Sequence, residues 1–274
     1  MLHHTIPFPL RVMEKFRAPL SGESEVRWSR KDANTCILFV HGFGGRAVAT
    51  WGEFPELAVA DERFDRADLF FLGYDSRSRS ASINVALLYQ VVRAVAEDPS
   101  GVLEAVRGPT RPENFAYERI ILVGHSLGGA LVRDVAMYAK SENRRWADSL
   151  RLVLFAPAHT GANILLLASV GFGFLRWLGP AKAGVLALFP VLRDLERGSP
   201  FLERLVEKAK GIGSHPTTKA QIVVHASDDR IVFHDAFFKD PPTLPYAKCD
   251  HISCCKPRSP NFLSPLTDLA GVLS

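Results

Sequence analysis

The sequence is poor in cysteine, which limits the kinds of fold that it can support. Four cysteines among 274 residues cannot hold together a dense disulfide scaffold. Cys254 and Cys255 are adjacent in the chain, which is a poor geometry for a disulfide between them. We therefore expect the thiols to be reduced, which favours an intracellular, cytoplasmic location.

The sequence also lacks a long uninterrupted apolar run. The longest, residues 164–175, is followed by Arg176, and it holds about 12 residues where a membrane-spanning helix needs about 20. Residues 1–20 mix apolar residues with proline and charged residues, so they lack the apolar segment of a secretory signal. The sequence therefore predicts neither a membrane-spanning helix nor secretion.

No charge of one sign dominates the composition. The formal net charge is only +4 and basic residues are interleaved with acidic ones, so the chain gives no indication of nucleic-acid binding. The apolar fraction of 47% and the charged fraction of 23% are typical of a soluble globular protein. The sequence contains neither a phosphate-binding loop nor a dinucleotide-binding fingerprint. We therefore expect no cofactor.

Short apolar runs alternate with segments of helical periodicity. Continuous apolar runs of this length are typical of strands buried on both faces, and hence of a parallel sheet covered by helices. The predicted strands are residues 36–40, 69–72, 120–123, 152–155 and 222–224, with lead-in strands at 12–16 and 26–28. The predicted helices are residues 83–97, 128–139 and 265–273. The pattern predicts one α/β domain over residues 1–274, with a mostly parallel central sheet flanked by helices.

Residues 162–205 depart from this alternation, because they are very apolar and are punctuated by glycine and proline. We interpret them as a helical cap insertion above the sheet. Such an apolar segment must pack on the body, cover a pocket or rest transiently on a membrane surface. Because loops at the C-terminal ends of parallel strands gather above the site, we predict that Phe172 and Phe174 contact the substrate.

The strongest chemical signal is the sequence Gly-His-Ser-Leu-Gly-Gly at residues 124–129, between a predicted strand and a predicted helix. This pattern is typical of a nucleophile elbow, in which a serine stands on a tight turn and glycines let the backbone approach. Ser126 is the candidate nucleophile, and the N–H of Leu127 is the first candidate donor to an oxyanion. The alternative is an ordinary glycine-rich turn.

A second glycine-rich loop, His-Gly-Phe-Gly-Gly at residues 41–45, follows the first strongly predicted strand. An acyl-transfer site needs two N–H donors for its oxyanion, and we assign the second to Phe43. We expect His41 and Gly42 to line the substrate pocket. The alternative is a β-turn that binds no ligand.

The two motifs resemble those of the α/β-hydrolase superfamily, specifically its lipase and serine-esterase branch, over roughly residues 33–265. The resemblance implies a catalytic triad in the order Ser, Asp, His. It puts the acid at Asp229, just before Ile231 in a turn after a late strand, with Asp228 as the rival. It puts the general base at His251 in a later loop.

Other residues near these motifs receive supporting roles. His125 belongs to the elbow and is predicted to line the substrate pocket. His159 follows a predicted strand in Pro-Ala-His-Thr-Gly, one residue longer than the related sequence of the branch, and pocket lining or packing is expected for it. Three cysteines lie near His251, but their spacing matches no standard zinc signature, so we expect no metal.

The predicted activity is hydrolysis of a carboxylic ester with a hydrophobic acyl part, through an acyl-enzyme on Ser126. The expected partner is therefore a small-molecule ester or a lipid. The same triad serves thioesterases, amidases and acyltransferases, so these alternatives stay open. A non-catalytic binding protein on the same fold is the alternative from another class.

Overall fold

The computed structural model describes residues 3–6, 24–29, 33–171, 184, 186 and 188–273. The predicted lead-in strand at residues 12–16 and the predicted substrate contacts Phe172 and Phe174 lie outside the described residues.

The described residues contain an eight-stranded sheet. Its strands are β1 (His3–Ile6), β2 (Ser24–Arg27), β3 (Thr35–Val40), β4 (Ala67–Leu72), β5 (Arg119–His125), β6 (Leu150–Phe155), β7 (Ala220–Ala226) and β8 (Leu244–Tyr246). The strand order is β1-β2-β4-β3-β5-β6-β7-β8. The β1–β2 and β2–β4 pairs are antiparallel, and every later pair is parallel. The prediction of a mostly parallel sheet is confirmed.

Helices flank the sheet, as predicted. They are α1 (Phe54–Ala60), α2 (Ala81–Glu97), α3 (Pro99–Ala105), α4 (Leu127–Ser141), α5 (Ile164–Gly171), α6 (Pro190–Asp194), α7 (Pro200–Ile212) and α8 (Ser264–Leu273). Helices α1 and α3 and the main part of α7 were not predicted from the sequence. A start signal for α7 is present, because the Ser199 hydroxyl caps the amide of Leu202 and Pro200 occupies the first turn.

The central strands are apolar throughout because they are buried on both faces. All residues of β3 and β4 are buried, and Phe39 stacks on Phe71 with ring centroids 4.4 Å apart. Because β3, β5, β6 and β7 run parallel, the loops that follow them emerge at one edge of the sheet. This edge receives the glycine-rich loop after β3, the serine after β5 and the aspartates after β7.

The described part of residues 162–205 contains α5, α6 and the first turns of α7. It is attached to the edge of the sheet where those loops emerge, because the amide of Asn163 donates to the carbonyl of Ile231 at 2.7 Å. No helix among the described residues is long and apolar enough to cross a membrane.

A buried ion pair fixes α4 against the start of β7. The Arg133 side chain on α4 is 1% exposed, and its guanidinium donates to both carboxylate oxygens of Asp240, which is 5% exposed. Arg133 also donates to the carbonyl of Thr218 at 3.0 Å, and the amide of Ala220 donates to Asp240 at 2.9 Å. The pair thus joins the helix that follows Ser126 to the strand that leads to Asp229.

We expect Arg133→Met to lower the free energy of unfolding by about 3–5 kcal/mol, because the Asp240 carboxylate would stay buried without its charge partner. Urea denaturation measures the change. Lys140→Met is the matched control, since Lys140 lies on the same helix in a partly exposed pair with Asp148, and its loss should be much smaller. Equal losses in the two variants would contradict the assigned role of the buried pair.

Candidate active site

The turn between β5 and α4 presents Ser126 in a strained backbone conformation. Its φ of 54° and ψ of −121° are rarely adopted by a residue with a side chain. Neighbouring backbone holds the turn in place. The Ser126 amide donates to the carbonyl of Phe155, and the Ser126 carbonyl accepts from the amides of Gly129 and Ala158, each at 3.0 Å.

The elbow glycines are needed because the backbone on either side of Ser126 approaches other backbone closely. A Cβ atom on Gly124 would lie 2.6 Å from the Cα of Gly129. One on Gly128 would lie 2.1 Å from the carbonyl oxygen of Val40. Glycine is the one residue without a Cβ, so the sequence pattern follows directly from this packing.

Ser126, His251 and Asp229 form a continuous hydrogen-bonded chain. His251 Nε2 lies 2.9 Å from Ser126 Oγ, and His251 Nδ1 lies 2.8 Å from Asp229 Oδ2. Asp229 Oδ1 accepts from the amides of Ile231 and Val232 at 2.7 and 3.3 Å. Because a carboxylate only accepts, the proton of His251 resides on Nδ1, and Nε2 faces the serine as an acceptor.

The surroundings of Asp229 keep its carboxyl group ionised. Burial alone would raise its pKa, but hydrogen bonds from His251 and from the amides of Ile231 and Val232 bring the pKa below the usual value. Asp228 lies outside this network. It is exposed, and its carboxylate accepts from the hydroxyl of Ser227 at 3.4 Å.

The glycine-rich loop after β3 lies directly against the serine. A Cβ atom on Gly42 would lie 2.8 Å from the Cβ of Ser126. The loop is closed by a hydrogen bond of 3.1 Å from the Gly45 amide to the Gly42 carbonyl, and the Gly44 amide donates to the Ser76 hydroxyl at 3.0 Å. Backbone amides near Phe43 therefore lie close to the candidate nucleophile.

His41 supports this loop from inside the protein. Its Nδ1–H donates to the Gly42 carbonyl at 2.8 Å, and its Nε2 accepts from the amide of Tyr74 at 3.4 Å. The rings of His41 and Tyr74 stack at 4.3 Å. Burial lowers the pKa of His41 to about 4, so it stays neutral near pH 7. The sequence carried no signal for the contribution of Tyr74.

His125 supports the loop that carries His251. Its Nε2–H donates to the carbonyl of His251 at 2.7 Å, and the two rings lie 5.0 Å apart. Burial is the main cause that lowers the pKa of His125 to about 3, and the nearby titratable ring of His251 lowers it further. His125 is therefore neutral near pH 7 and fixes the backbone of His251.

A cavity of about 260 Å³ opens at Ser126 and His251. Gly42 and His125, which were predicted to line the substrate pocket, are among its lining residues, and so is Phe43, which was predicted as an oxyanion donor. Eight further lining residues were not predicted from the sequence. They are Arg46, Ala49 and Thr50 after the glycine-rich loop, Leu167, Val170 and Gly171 on α5, and Ile252 and Lys256 after His251. These residues come from separate loops, so no local motif joins them.

Two predicted pocket residues lie elsewhere. His41 lines a neighbouring cavity of about 480 Å³ behind the glycine-rich loop. His159 is buried against the ring of Phe237 and lines a third cavity, of about 580 Å³, together with Arg197 and Asp235. Among the described residues, no cluster of three or more His, Cys, Asp or Glu side chains could hold a metal ion.

Helix α5 packs on the glycine-rich loop and closes one side of the cavity. A Cβ atom on Gly171 would lie 2.7 Å from the ring of Phe43. The Arg77 guanidinium donates to the carbonyls of Gly44 and Gly171, each at 3.4 Å. The candidate oxyanion loop and the insertion are therefore joined at this point.

Comparisons with known proteins extend over most of the chain. The sequence model of the alpha/beta hydrolase family matches residues 37–271. The mature lipase BlEst2 of Bacillus licheniformis is similar in structure with a TM-score of 0.57 and 16% identity, over 92% of this chain and 98% of that chain. The esterase of Pyrobaculum calidifontis has a TM-score of 0.56 and 15% identity, over 99% and 82% of the two chains. Est1E from Butyrivibrio proteoclasticus has a TM-score of 0.51 and 16% identity, over 90% of each chain. No curated protein matches the sequence.

We expect Gly128→Ala to destabilise the protein by about 1–3 kcal/mol or more, because the new methyl group would overlap the backbone of β3 and force the elbow open. Thermal or urea unfolding measures the loss. Gly211→Ala is the matched control, because Gly211 lies in helix α7 and a Cβ atom added there would have no neighbour within 4 Å. Alanine favours the helix there and should stabilise the protein slightly. A harmless Gly128→Ala would contradict the packing assigned to the elbow.

Proposed function

The chain belongs to the alpha/beta hydrolase family, whose sequence model matches residues 37–271, and from this premise we propose that it cleaves carboxylic esters with Ser126 as nucleophile. The family and its lipase and esterase neighbours support a hydrolase activity. The proposal that Ser126 is the nucleophile of an esterase rests on the hydrogen-bonded chain from Ser126 Oγ through His251 to Asp229, with distances of 2.9 and 2.8 Å.

In the proposed first step, His251 Nε2 takes the proton of Ser126 while Oγ attacks the ester carbonyl carbon. The carbonyl double bond opens, and its electron pair moves to the oxygen. Asp229 accepts from His251 Nδ1–H throughout, which holds the ring in orientation and stabilises the imidazolium that forms. The ionised state of Asp229 at neutral pH supports this role.

The proposed oxyanion donors are the amides of Leu127 and Phe43. Leu127 is the first residue of α4, and the first amides of a helix have no acceptor within the helix. The partial positive charge of the helix N-terminus adds to the stabilisation of a negative oxygen. The close approach of the glycine-rich loop to Ser126 favours Phe43 as the second donor.

The collapse of the tetrahedral intermediate breaks the bond to the alcohol, which leaves with the proton from His251. An acyl-enzyme on Ser126 remains. His251 then takes a proton from a water molecule while the water oxygen attacks the acyl carbon. The second tetrahedral intermediate collapses, the bond from the acyl carbon to Ser126 Oγ breaks, and His251 returns its proton to Oγ as the acid is released. No cofactor is needed for these steps.

The lining of the cavity supports an ester with a small hydrophobic acyl part. Leu167 and Val170 of α5 and Ile252 form an apolar wall. The volume of about 260 Å³ lies just below the range of about 300–1,000 Å³ that is typical of small-molecule sites. We further propose that residues 1–274 form one domain and that residues 162–205 act as its cap, with Phe172 and Phe174 as further substrate contacts.

Ser126→Ala should abolish labelling by a fluorophosphonate probe and lower kcat for 4-nitrophenyl butyrate by about 10⁴-fold or more, because the nucleophile is lost. Mass spectrometry of the labelled peptide and absorbance assays measure the two effects. Ser141→Ala, at the C-terminal end of α4, is the control and should retain both properties. Labelling of folded Ser126→Ala, or an unlabelled wild type, would overturn the assignment of the nucleophile.

Asp229→Asn should lower kcat by about 10⁴-fold, because an amide in place of the carboxylate favours the wrong tautomer of His251. Asp228→Asn is the matched control in the adjacent position, and it should leave kcat close to that of the wild type. Steady-state assays with 4-nitrophenyl butyrate distinguish the two variants. A severe loss in Asp228→Asn with a mild loss in Asp229→Asn would reverse the assignment of the acid.

A further inference from the structure

The cavity at Ser126 carries an unbalanced positive charge. Arg46 and Lys256 line it, and no Asp or Glu is among its described lining residues. Neither cation has a carboxylate partner within the part of the chain that the structure describes. A carbonyl, a hydroxyl and an apolar acyl chain do not need two cations, so the charge is not explained by the hydrolysis of a neutral ester.

The Lys256 side chain is held at the cavity by its surroundings. Lys256 is half-buried, and its amide donates to the carbonyl of Ser253 at 3.0 Å. Its aliphatic stem crosses Gly52, where an added Cβ atom would lie 3.1 Å from the Cβ of Lys256. Burial is the main cause of the low pKa of His125, and the charge of Lys256 contributes to it. The ammonium group therefore acts on the elbow side of the cavity.

Arg46 stands on a fixed turn at the end of the glycine-rich loop. Its amide donates to the Thr50 hydroxyl at 2.9 Å, and its carbonyl accepts from the Thr50 amide at 3.4 Å. Only two residues separate Arg46 from Phe43, the proposed oxyanion donor. Its side chain is exposed, so its guanidinium is accessible to a ligand in the cavity.

A neighbouring cavity, which shares His251 and Ile252 with the Ser126 cavity, has a different charge. This cavity of about 210 Å³ is lined by Arg230, but also by the carboxylates of Asp228 and Asp250. Arg46 also lines the cavity of His41, but Glu25 lines that cavity too, so of these three cavities only the one at Ser126 is lined by cations without a carboxylate. The positive charge is thus a property of the Ser126 cavity and not of the whole edge of the sheet.

We propose that Arg46 and Lys256 form an anion subsite and that the substrate is an ester bearing an anionic oxygen group close to the cleaved bond. Lys and Arg bind carboxylate and phosphate through charge-assisted hydrogen bonds, and a cleft of one sign of charge concentrates ligands of the opposite sign. The apolar wall of α5 takes the hydrocarbon part of the same substrate. This inference rests on the proposed function, because it names the substrate class of that site.

Two matched pairs of esters test the subsite and show which part of the substrate carries the charge. Mono(4-nitrophenyl) adipate and 4-nitrophenyl hexanoate differ by a carboxylate at the end of the acyl chain. The esters 4-butyryloxy-3-nitrobenzoate and 2-nitrophenyl butyrate differ by a carboxylate on the leaving group. The measured quantity is the ratio of kcat/KM for the anionic ester to that for its neutral partner.

In at least one pair, this ratio should fall about two- to fivefold in Arg46→Gln or Lys256→Gln and about tenfold in the double variant. Raising the salt concentration should lower the wild-type ratio and leave that of the double variant nearly unchanged, because salt screens the interaction. Arg230→Gln removes the same charge from the neighbouring cavity and should leave the ratio unchanged. Ratios unaffected in the double variant, or an equal fall in Arg230→Gln, would overturn the proposal.

A binding measurement separates failure of the subsite from failure of the proposed function. Calorimetry with monomethyl adipate on Ser126→Ala should show weaker binding when Arg46→Gln and Lys256→Gln are added, and Arg230→Gln should have no effect. If the fluorophosphonate probe does not label Ser126 in the wild type but the binding of monomethyl adipate depends on Arg46 and Lys256, the esterase proposal is rejected and the subsite is retained. Normal labelling of Ser126 with binding that is independent of both cations would reject the subsite and keep the esterase.

Discussion

The close contact between the β5–α4 turn and the end of β3 is the constraint on which the candidate site depends. The turn can form only because glycines stand where side chains would overlap the backbone, as at Gly128 against Val40. The same closeness brings the loop after β3 within van der Waals reach of Ser126, since Gly42 also lacks a Cβ atom. A strained serine and a row of nearby amides are thus two results of one packing arrangement.

The histidines around the serine divide into one that can exchange a proton and two that hold structure. His251 has a carboxylate on one ring nitrogen and a hydroxyl on the other. His41 and His125 each donate to a backbone carbonyl and are buried, and their low pKa values keep them uncharged at neutral pH. Because these two buried histidines are uncharged, they add no positive charge near Ser126, and the cations there are Arg46 and Lys256, which line the cavity.

The insertion after β6 adds apolar residues to a cavity that is also lined by two cations. Helix α5 contributes an apolar wall and meets the glycine-rich loop at Gly171. Arg46 and Lys256 also line the cavity, and no carboxylate lines it among the residues that the structure describes. A ligand with a hydrocarbon part and an anionic part matches both kinds of lining residue, which is why the charge of the cavity bears on the class of substrate.

Local sequence patterns were sufficient to predict the central strands, the main helices and the positions of the two glycine-rich motifs, because buried strands and tight turns constrain which residues can form them. The resemblance of these motifs to the α/β-hydrolase superfamily, whose triad runs in the order Ser, Asp, His, also pointed to His251. Which carboxylate meets that histidine became clear only in the folded chain, since Asp228 and Asp229 are neighbours and a turn sends their side chains in different directions. Folding also places His159 in a cavity that Ser126 does not line, and it brings Lys256 into the cavity of Ser126. These outcomes depend on how distant loops pack at one edge of the sheet, and local sequence carries no record of that packing.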